Sequence, residues 1–174
     1  HFSTDRPEFE EVEKACIAEE ERLIGIKGTK SVDTIHKKLG NIMWDYVGMG
    51  RTKEGLEKAL EELKKLRKEF DTDLFVPGTA GDGMNVELDK AFRLKDFITM
   101  GELIAYDALN RNESCGGHFR EEYQTEEGEA KRDDKNFFYV SCWNYQGDDE
   151  KAPELIKEPL EYEAIKVQTR NYKS

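Results

Sequence analysis

Apolar residues recur at helical spacing along most of the first 110 positions of the chain. The clearest stretch follows Thr52, where apolar positions keep an i, i+3, i+4, i+7 pattern and Glu and Lys fill the opposite face. Thr52 has the side chain expected of an N-cap. We therefore predict a helix that begins after Thr52. Its apolar stripe comprises Leu56, Ala59, Leu60, Leu63, Leu66 and Phe70.

The N-terminal segment carries the signals of another helix. Asp5 is placed as an N-cap, Pro7 lies early in the first turn and Glu8 completes a capping-box pattern. Gly25 is placed to end this helix, because glycine is the residue that most often terminates one. The stripe that we expect it to bury comprises Phe9, Val12, Cys16 and Leu23.

Two further amphipathic stretches predict two more helices. Ser31 caps the first of them, and Gly48 and Gly50 have the positions of a C-cap and a turn residue. The second runs from about Val86 to Asn110, after a loop at 71–85 that is rich in Gly and Asp. The apolar positions are Ile35, Leu39, Ile42, Met43 and Tyr46 in the first, and Leu88, Phe92, Phe97, Met100, Leu103, Ile104 and Ala108 in the second.

The pattern changes after these helices. Residues 121–134 are too charged to bury, whereas 137–143 and 160–167 are dense in aromatic and β-branched residues, as strands are. Amphipathic helices with short connections form antiparallel bundles. We therefore predict a mainly α fold with an antiparallel, spectrin-repeat-like bundle of three to four helices over residues 1–118. Residues 119–174 form a charged loop and a small C-terminal β ribbon packed on that bundle.

Composition excludes several classes of function. The chain has 174 residues, with 27 Lys and Arg against 38 Asp and Glu, for a net charge of −11. Nucleic acid is excluded as a partner, because phosphate binding relies on an excess of basic side chains. No window approaches the roughly 18 to 20 consecutive apolar residues of a membrane-spanning helix. Three widely separated cysteines are typical of a reducing compartment, and we expect a cytoplasmic location.

The first residue is His1 and no signal-type apolar stretch follows it. We expect the sequence to be an excised fragment or a processed chain rather than a complete polypeptide.

The segment at 111–120 gathers a carboxylate, a thiol, an imidazole and two guanidiniums around a Gly-Gly pair. Cys115 and His118 have the spacing of half a zinc site, but the chain has no second pair with similar spacing. A cysteine and a histidine could also act as a nucleophile and its general base, yet no third residue that would orient the base can be assigned. Arginine suits bidentate pairing with carboxylates. The sequence therefore favours a docking loop over a metal site or an active site.

Other glycine-rich and acidic stretches carry weaker signals. The turn at 48–51 follows a helix rather than a strand and lacks the third glycine of a dinucleotide fingerprint. The acidic run at 126–134 lacks the ligand spacing of an EF-hand. A turn and a solvated loop are the expected structures.

Several motifs together resemble a known family. They are Met43-Trp44 with the turn at 47–51, the loop at 112–120, Glu122-Tyr123 and the segment at 132–137. In this order they are similar to the C-terminal helical domain of the succinate dehydrogenase and fumarate reductase flavoprotein subunit, whose loop reads approximately Glu-Ser-Arg-Gly-Ala-His. The resemblance spans nearly the whole chain. Cys115 replaces the usual Arg and Gly117 the usual Ala, and 124–131 is longer than the family pattern.

The resemblance implies a parent enzyme that binds FAD and interconverts succinate and fumarate. It implies transfer of electrons to an iron–sulfur subunit with its iron–sulfur clusters, and through a membrane anchor subunit to quinone. The location that it implies is the inner face of the cell membrane, reached through partner subunits. The FAD-binding and capping domains of the family lie upstream of the matching region. We therefore expect no catalytic, cofactor-binding or metal-binding residue in this fragment, which would be inactive alone.

The role that the resemblance implies for this fragment is structural, as a clasp against the upstream domains and a support for the iron–sulfur partner. Two alternatives remain. L-Aspartate oxidase is similar in its helical domain and loop, and a non-enzymatic helical interaction domain would also explain a charged bundle. The expected docking residues are Arg51, Arg111, Glu113, Ser114, His118 and Arg120.

Overall fold

The computed structural model describes residues 3–80, 83–147 and 151–168. His1 and the last residues of the tail lie outside them. The described part is mainly α with a small antiparallel ribbon at its C-terminal end, as predicted. Its helices are α1 (Pro7–Gly25), α2 (Val32–Val47), α3 (Lys53–Asp73), α4 (Val86–Asn110) and α5 (Asp134–Phe137). Its strands are β1 (Lys30–Ser31), β2 (Gly50–Arg51), β3 (Leu74–Phe75), β4 (Phe119–Arg120), β5 (Tyr139–Asn144) and β6 (Glu154–Pro159).

Side-chain caps begin the three helices of the bundle. The Ser31 hydroxyl accepts from the Thr34 N–H at 3.2 Å, and the Thr52 hydroxyl accepts from the Gly55 N–H at 3.0 Å, which confirms both predicted caps. The Asn85 side chain accepts from two N–H groups in the first turn of α4. Each cap satisfies donors that a helix cannot satisfy internally.

The predicted cap of α1 is wrong. The N-cap of α1 is Arg6, and no side chain accepts a hydrogen bond from the first turn. The Asp5 carboxylate instead accepts from the Ser3 hydroxyl at 3.0 Å. Pro7 is the first helical residue, where its missing N–H costs no hydrogen bond.

The predicted buried stripe of α1 is also wrong for most of its length. Leu23 and Ile24 in the last turn are buried, whereas Phe9 is 54% exposed, Val12 is 63% exposed and Cys16 is exposed. Periodicity therefore identified an amphipathic helix correctly but gave no information on whether its apolar face has a neighbour in this chain.

Helices α2, α3 and α4 enclose the core. Lys90 on α4 pairs with Asp33 in the first turn of α2 at 3.1 Å, so these two helices run in the same direction. Lys38 near the start of α2 pairs with Glu69 near the end of α3, so α3 runs antiparallel to α2. The buried apolar residues of the three helices are Val32, Ile35, Leu39, Val47, Leu56, Ala59, Leu63, Leu66, Phe70, Leu88, Ala91, Leu94, Ile98, Ala105 and Ala108.

The bounds of α4 match the prediction, but its buried face is rotated from the predicted one. Phe97, Met100 and Ile104 are 46%, 53% and 43% exposed. Small residues occupy much of the buried face, and at Gly101 an added Cβ would lie 3.1 Å from the Met43 sulfur. Small residues let helices approach closely, so large side chains at neighbouring positions are left outside the contact.

The two strands of the ribbon differ in their bounds from the predicted ones. Asp133 caps the short helix α5, so the first strand begins at Tyr139 rather than at 137. β5 pairs antiparallel with β6, with Tyr139 opposite Pro159 and Asn144 opposite Glu154. The predicted second strand at 160–167 is wrong, because β5 pairs with residues 154–159 and no strand is present at 160–168.

Two pairs of short parallel strands connect the loops of the bundle. β1 pairs with β3 beside the end of α3, and β2 pairs with β4 after the end of α4. No helix in the described part of the chain is both long and apolar enough to cross a membrane.

Candidate functional site

The loop after α4 returns to the turn between α2 and α3. β4 pairs with β2 in parallel register, which places Arg120 opposite Arg51. The Glu121 N–H then donates to the Arg51 carbonyl at 2.8 Å. This pairing brings the sequence-predicted loop and the predicted Gly-rich turn into one site.

A tight turn forms the tip of the loop. The Cys115 N–H donates to the His118 carbonyl at 2.8 Å, and the His118 N–H donates back to the Cys115 carbonyl at 3.1 Å. Gly116 has φ +58°, a backbone conformation that glycine adopts without steric cost. The Gly-Gly pair therefore lies in this turn, and the tip of the loop at 115–117 is exposed, as is Asn112.

Arg120 is the most deeply placed charge of the site. It is 1% exposed, and its Nη1 donates to the carbonyls of Ala108 and Leu109 at 2.9 and 3.3 Å. Its Nε donates to a Glu122 carboxylate oxygen at 3.2 Å. A buried guanidinium is tolerated where carbonyls and a carboxylate replace its lost water. Arg120 therefore caps the C-terminal end of α4, where a positive charge is also favoured by the helix dipole.

Ser114 fixes the backbone on either side of this arginine. Its hydroxyl accepts from the Arg120 N–H at 2.8 Å and donates to the Arg120 carbonyl at 3.1 Å. Ser114 is fully buried. These bonds cross the predicted domain boundary at residue 118, and that boundary stays a prediction.

Arg111 and Glu113 join the loop to the ribbon. The Arg111 Nη1 lies 2.6 Å from a Glu113 oxygen, and the Glu113 carboxylate, 3% exposed, also accepts from the Asp133 N–H at 2.8 Å. Arg111 donates further to the carbonyls of Phe137 and Tyr139, at 3.3 and 3.0 Å. Its guanidinium is 5.8 and 5.4 Å from the centres of these two rings.

The hydrogen bonds of His118 determine its tautomer. Arginine is only a donor, so the 2.7 Å contact from Arg51 Nη1 requires Nδ1 to be the acceptor. Nε2 therefore carries the proton and donates to the Arg111 carbonyl at 2.9 Å. Burial lowers the pKa of His118, the hydrogen bond to the Arg111 carbonyl opposes this shift, and the nearby positive charges of Arg51, Arg120 and Arg111 lower the pKa further. His118 is accordingly neutral at pH 7.

Arg51 closes the network at the end of α2. Its Nε donates to the carbonyls of Val47 and Gly48, at 3.2 and 2.8 Å. Burial lowers the pKa of Arg51, the charge of Arg120 lowers it further, and Asp107 opposes the shift. Arg51 therefore holds together the end of one helix and the imidazole of the loop.

All six predicted docking residues thus lie in one network, and each of their side chains bonds within the chain. Their role as contacts to other domains stays a prediction. The arrangement does not support a Cys115–His118 catalytic pair, because both ring nitrogens of His118 are engaged elsewhere. Over residues 3–80, 83–147 and 151–168, no three His, Cys, Asp or Glu side chains converge as a metal site would require.

Sequence reasoning missed two members of the site. A Glu122 oxygen accepts from the Lys53 N–H, which ties the loop to the first turn of α3. Asp107 accepts from the Trp143 indole N–H at 2.9 Å, which ties α4 to the ribbon. The available signal was chemical: a tryptophan in a packed strand needs an acceptor for its N–H, and Asp107 is a carboxylate on the helix that the ribbon follows.

Comparison with known proteins decides the family. The family model described as fumarate reductase flavoprotein C-term matches residues 36–172. The chain belongs to this family. The suspected resemblance to the succinate dehydrogenase and fumarate reductase flavoprotein subunit is thereby confirmed.

Curated relatives agree with this assignment. The fumarate reductase flavoprotein subunit of Proteus vulgaris is 29% identical over 148 residues, which are 84% of this chain and 22% of the relative. An uncharacterized FAD-dependent oxidoreductase of Methanocaldococcus jannaschii is 33% identical over 103 residues, 59% of this chain and 18% of the relative. An L-aspartate oxidase of Nicotiana tabacum is 32% identical over 89 residues, 51% of this chain and 13% of the relative.

Solved structures share the fold. A quinol-fumarate reductase with bound menaquinol aligns with a TM-score of 0.76 at 22% identity, over 95% of this chain and 27% of that one. Adenylylsulfate reductase of Archaeoglobus fulgidus aligns with a TM-score of 0.65 at 19% identity, over 81% and 21% of the two chains. The chain therefore spans about a quarter or less of the length of the proteins that it matches.

Proposed function

We propose that this chain is the C-terminal domain of a longer flavoprotein that interconverts succinate and fumarate through FAD. The family match over residues 36–172 carries the proposal. The fumarate reductase relatives from Proteus vulgaris and a Serratia species support it, since they match 84% and 81% of the chain. A free-standing interaction domain is disfavoured by the same matches.

The residues described here do not fit FAD. A dinucleotide site is built from a parallel sheet with a glycine-rich turn leading into a helix N-terminus. The parallel strands of the described region are two residues long, and the glycine-rich turn at 48–50 follows α2 instead of a strand. In the proposed parent, FAD is held by the upstream domains, and this domain contributes structure.

We further propose that the loop network serves as the clasp between this domain and the rest of the flavoprotein. The support is its geometry: six polar side chains hold the loop rigidly, and the tip at 115–117 is presented to the outside. A surface that is already ordered favours docking, because ordering at the moment of contact costs free energy. The network supplies that order without a partner.

The partners in this proposal are the upstream FAD-binding and capping domains, an iron–sulfur subunit and, indirectly, a membrane anchor subunit. The support is the fold shared with a protein described as a quinol-fumarate reductase. Through these subunits the parent lies at the inner face of the membrane.

An L-aspartate oxidase parent is the second candidate, favoured by identities of 32%. Those matches extend over 51% and 49% of the chain, whereas the fumarate reductase matches extend over more than four-fifths. The additional length favours a succinate and fumarate enzyme.

The test is to express the longer flavoprotein that contains this domain and to measure bound flavin and three activities. We expect a flavin absorbance spectrum, fumarate reduction with a reduced dye as electron donor, and succinate oxidation with an oxidised dye. Production of hydrogen peroxide from L-aspartate without either activity would assign the parent to the second candidate. Absence of bound flavin would contradict both.

A further inference from the structure

Exposed apolar side chains follow one face of α4 beside α2. Phe97, Met100 and Ile104 are spaced i, i+3 and i+7, so they share a face of the helix. Their exposed fractions are 46%, 53% and 43%. Large apolar side chains that occur singly on a surface are ordinary, whereas a contiguous row marks an interaction surface.

Helix α2 extends this row. The His36 ring stacks on Phe97 with the ring centres 5.6 Å apart, which places that face of α2 beside the row. Trp44 follows His36 by two helical turns on the same face and is 85% exposed. Between them along α2, an added Cβ at Gly40 would meet no atom within 4 Å, so this position is open. We name the surface formed by Trp44, Phe97, Met100 and Ile104 the apolar strip.

Arg51 adds a charge at one end of this region. It caps the carbonyls that end α2, less than two turns beyond Trp44. Among the described residues, no carboxylate lies within 4.0 Å of its guanidinium; Asp107 is near enough to act on its charge, and Arg120 adds a nearby positive charge. A half-buried guanidinium without a paired anion favours a carboxylate from an outside group, because burial has removed part of its hydration.

We propose that the apolar strip is the surface on which the remainder of the flavoprotein packs, with an acidic side chain of that remainder pairing with Arg51. This inference rests on the proposed function. The length of the relatives argues for that occupant: the matched region makes up 22% of the Proteus vulgaris subunit and 18% of the Methanocaldococcus jannaschii protein. Each such protein carries a large additional part on the same polypeptide. The proposal extends docking from the loop along the C-terminal halves of α2 and α4.

The experiment compares two matched substitutions in the longer flavoprotein. Met100→Glu places a charge within the apolar strip, whereas Met84→Glu makes the same change at a 96% exposed methionine outside it. Limited proteolysis measures the rate at which this domain is released. We expect Met100→Glu and Trp44→Glu to raise the release rate roughly tenfold or more, because a charge would be buried without a partner. Met84→Glu should leave the rate unchanged.

Two further measurements complete the test. Arg51→Gln should raise the release rate and remove its dependence on salt, since an ion pair is screened by salt and a neutral contact is not. In the 174-residue chain, Met100→Glu and Trp44→Glu should keep the wild-type urea midpoint, because both side chains are exposed there. A lowered midpoint would show that the strip belongs to the core of this domain and would overturn the proposal.

The remaining outcomes separate the two proposals. Equal release rates for Met100→Glu and Met84→Glu in a protein that binds flavin and reduces fumarate would overturn the apolar strip and leave the proposed function standing. Loss of flavin binding and activity in the unmodified protein would overturn the proposed function. A dimer of the 174-residue chain in sedimentation velocity, dispersed by Met100→Glu, would assign the strip to a second copy and overturn this inference.

Discussion

Three arginines of the site share one mode of binding, which is donation to main-chain carbonyls. Arg51 donates to the last carbonyls of α2, Arg120 to those of α4, and Arg111 to carbonyls at the start of the ribbon. The carbonyls at the end of a helix lack partners within it. Each guanidinium therefore provides hydrogen-bond donors for carbonyls at one end of a helix or strand. Together the three arginines connect those ends to a single loop.

This use of arginine explains what the sequence could predict about the site. The pattern of Glu, Ser, His and Arg around two glycines drew attention to residues that the structure brings into one network. From this pattern we predicted that their partners lie in other domains. Side-chain types show which charges can pair, but they do not show how far apart the groups lie in the fold. The carbonyls that Arg111 and Arg120 bind belong to no motif, since any residue supplies a carbonyl.

The first prediction concerns the proton of His118. Its folded pKa is lowered from 6.5, because burial and three guanidiniums disfavour the charged ring. An unfolded chain therefore binds this proton at a higher pH than the folded chain does. Stability is unaffected well above 6.5 and falls as the pH drops below it, until the folded-state pKa is reached. We expect the free energy of unfolding to decrease between about pH 7.5 and about pH 5.

The control is His118→Asn, which keeps an acceptor near the Nδ1 position and has no proton to gain. Urea unfolding of both proteins at the two pH values isolates the histidine, because all other titrating groups are shared. The wild type should lose more stability than the variant over this interval. Equal losses would show that His118 does not titrate differently in the folded and unfolded chains.

At the scale of elements, the sequence predicted where helices lie better than which faces they bury. The bounds of α4 were predicted correctly. However, its large apolar residues were predicted to be buried, whereas small residues form much of its buried face. The spacing of apolar residues along the sequence identifies a helix. Which of its faces is buried depends on where a neighbouring helix can approach it closely. Gly101 permits that approach at Met43, and no periodic pattern indicates it.

The second prediction compares two glycines within helices. An added Cβ at Gly40 meets no atom within 4 Å, so Gly40→Ala should stabilise the chain by roughly 0.5–1 kcal/mol through helix propensity. At Gly101 the same atom would lie 3.1 Å from the Met43 sulfur and 3.4 Å from a Leu39 methyl carbon. Gly101→Val should therefore destabilise the chain by about 1–3 kcal/mol, as overpacking does.

Urea unfolding midpoints of the two variants check this comparison. Circular dichroism before the transition controls for loss of the native helix content. A stabilising effect of Gly101→Val would contradict the close contact between α2 and α4 at this position.

At the scale of the whole molecule, the ribbon depends on the bundle. A two-stranded ribbon is marginal in water by itself. Side chains alternate along β5, so that Tyr139, Ser141 and Trp143 are half-buried while Val140 and Cys142 are exposed. Trp143 contacts Tyr106 edge to face at 4.9 Å and donates to Asp107, both on α4. The half-buried face of β5 is therefore attached to the bundle mainly by Trp143 and by Arg111.

The third prediction follows from this attachment. Trp143→Ala should increase hydrogen exchange at the amides of β5 by roughly tenfold or more, because it removes an aromatic contact and an indole hydrogen bond that together stabilise docking by more than about 1 kcal/mol. Val140→Ala changes the neighbouring residue on the exposed face of the same strand and should alter exchange far less. Amides of α3 should keep their protection in both variants, since the core formed by α2, α3 and α4 does not include β5. Faster exchange in α3 and β5 by the same factor would instead show that the ribbon and the bundle unfold as one cooperative unit, so that the predicted boundary near residue 118 separates no independent part of the molecule.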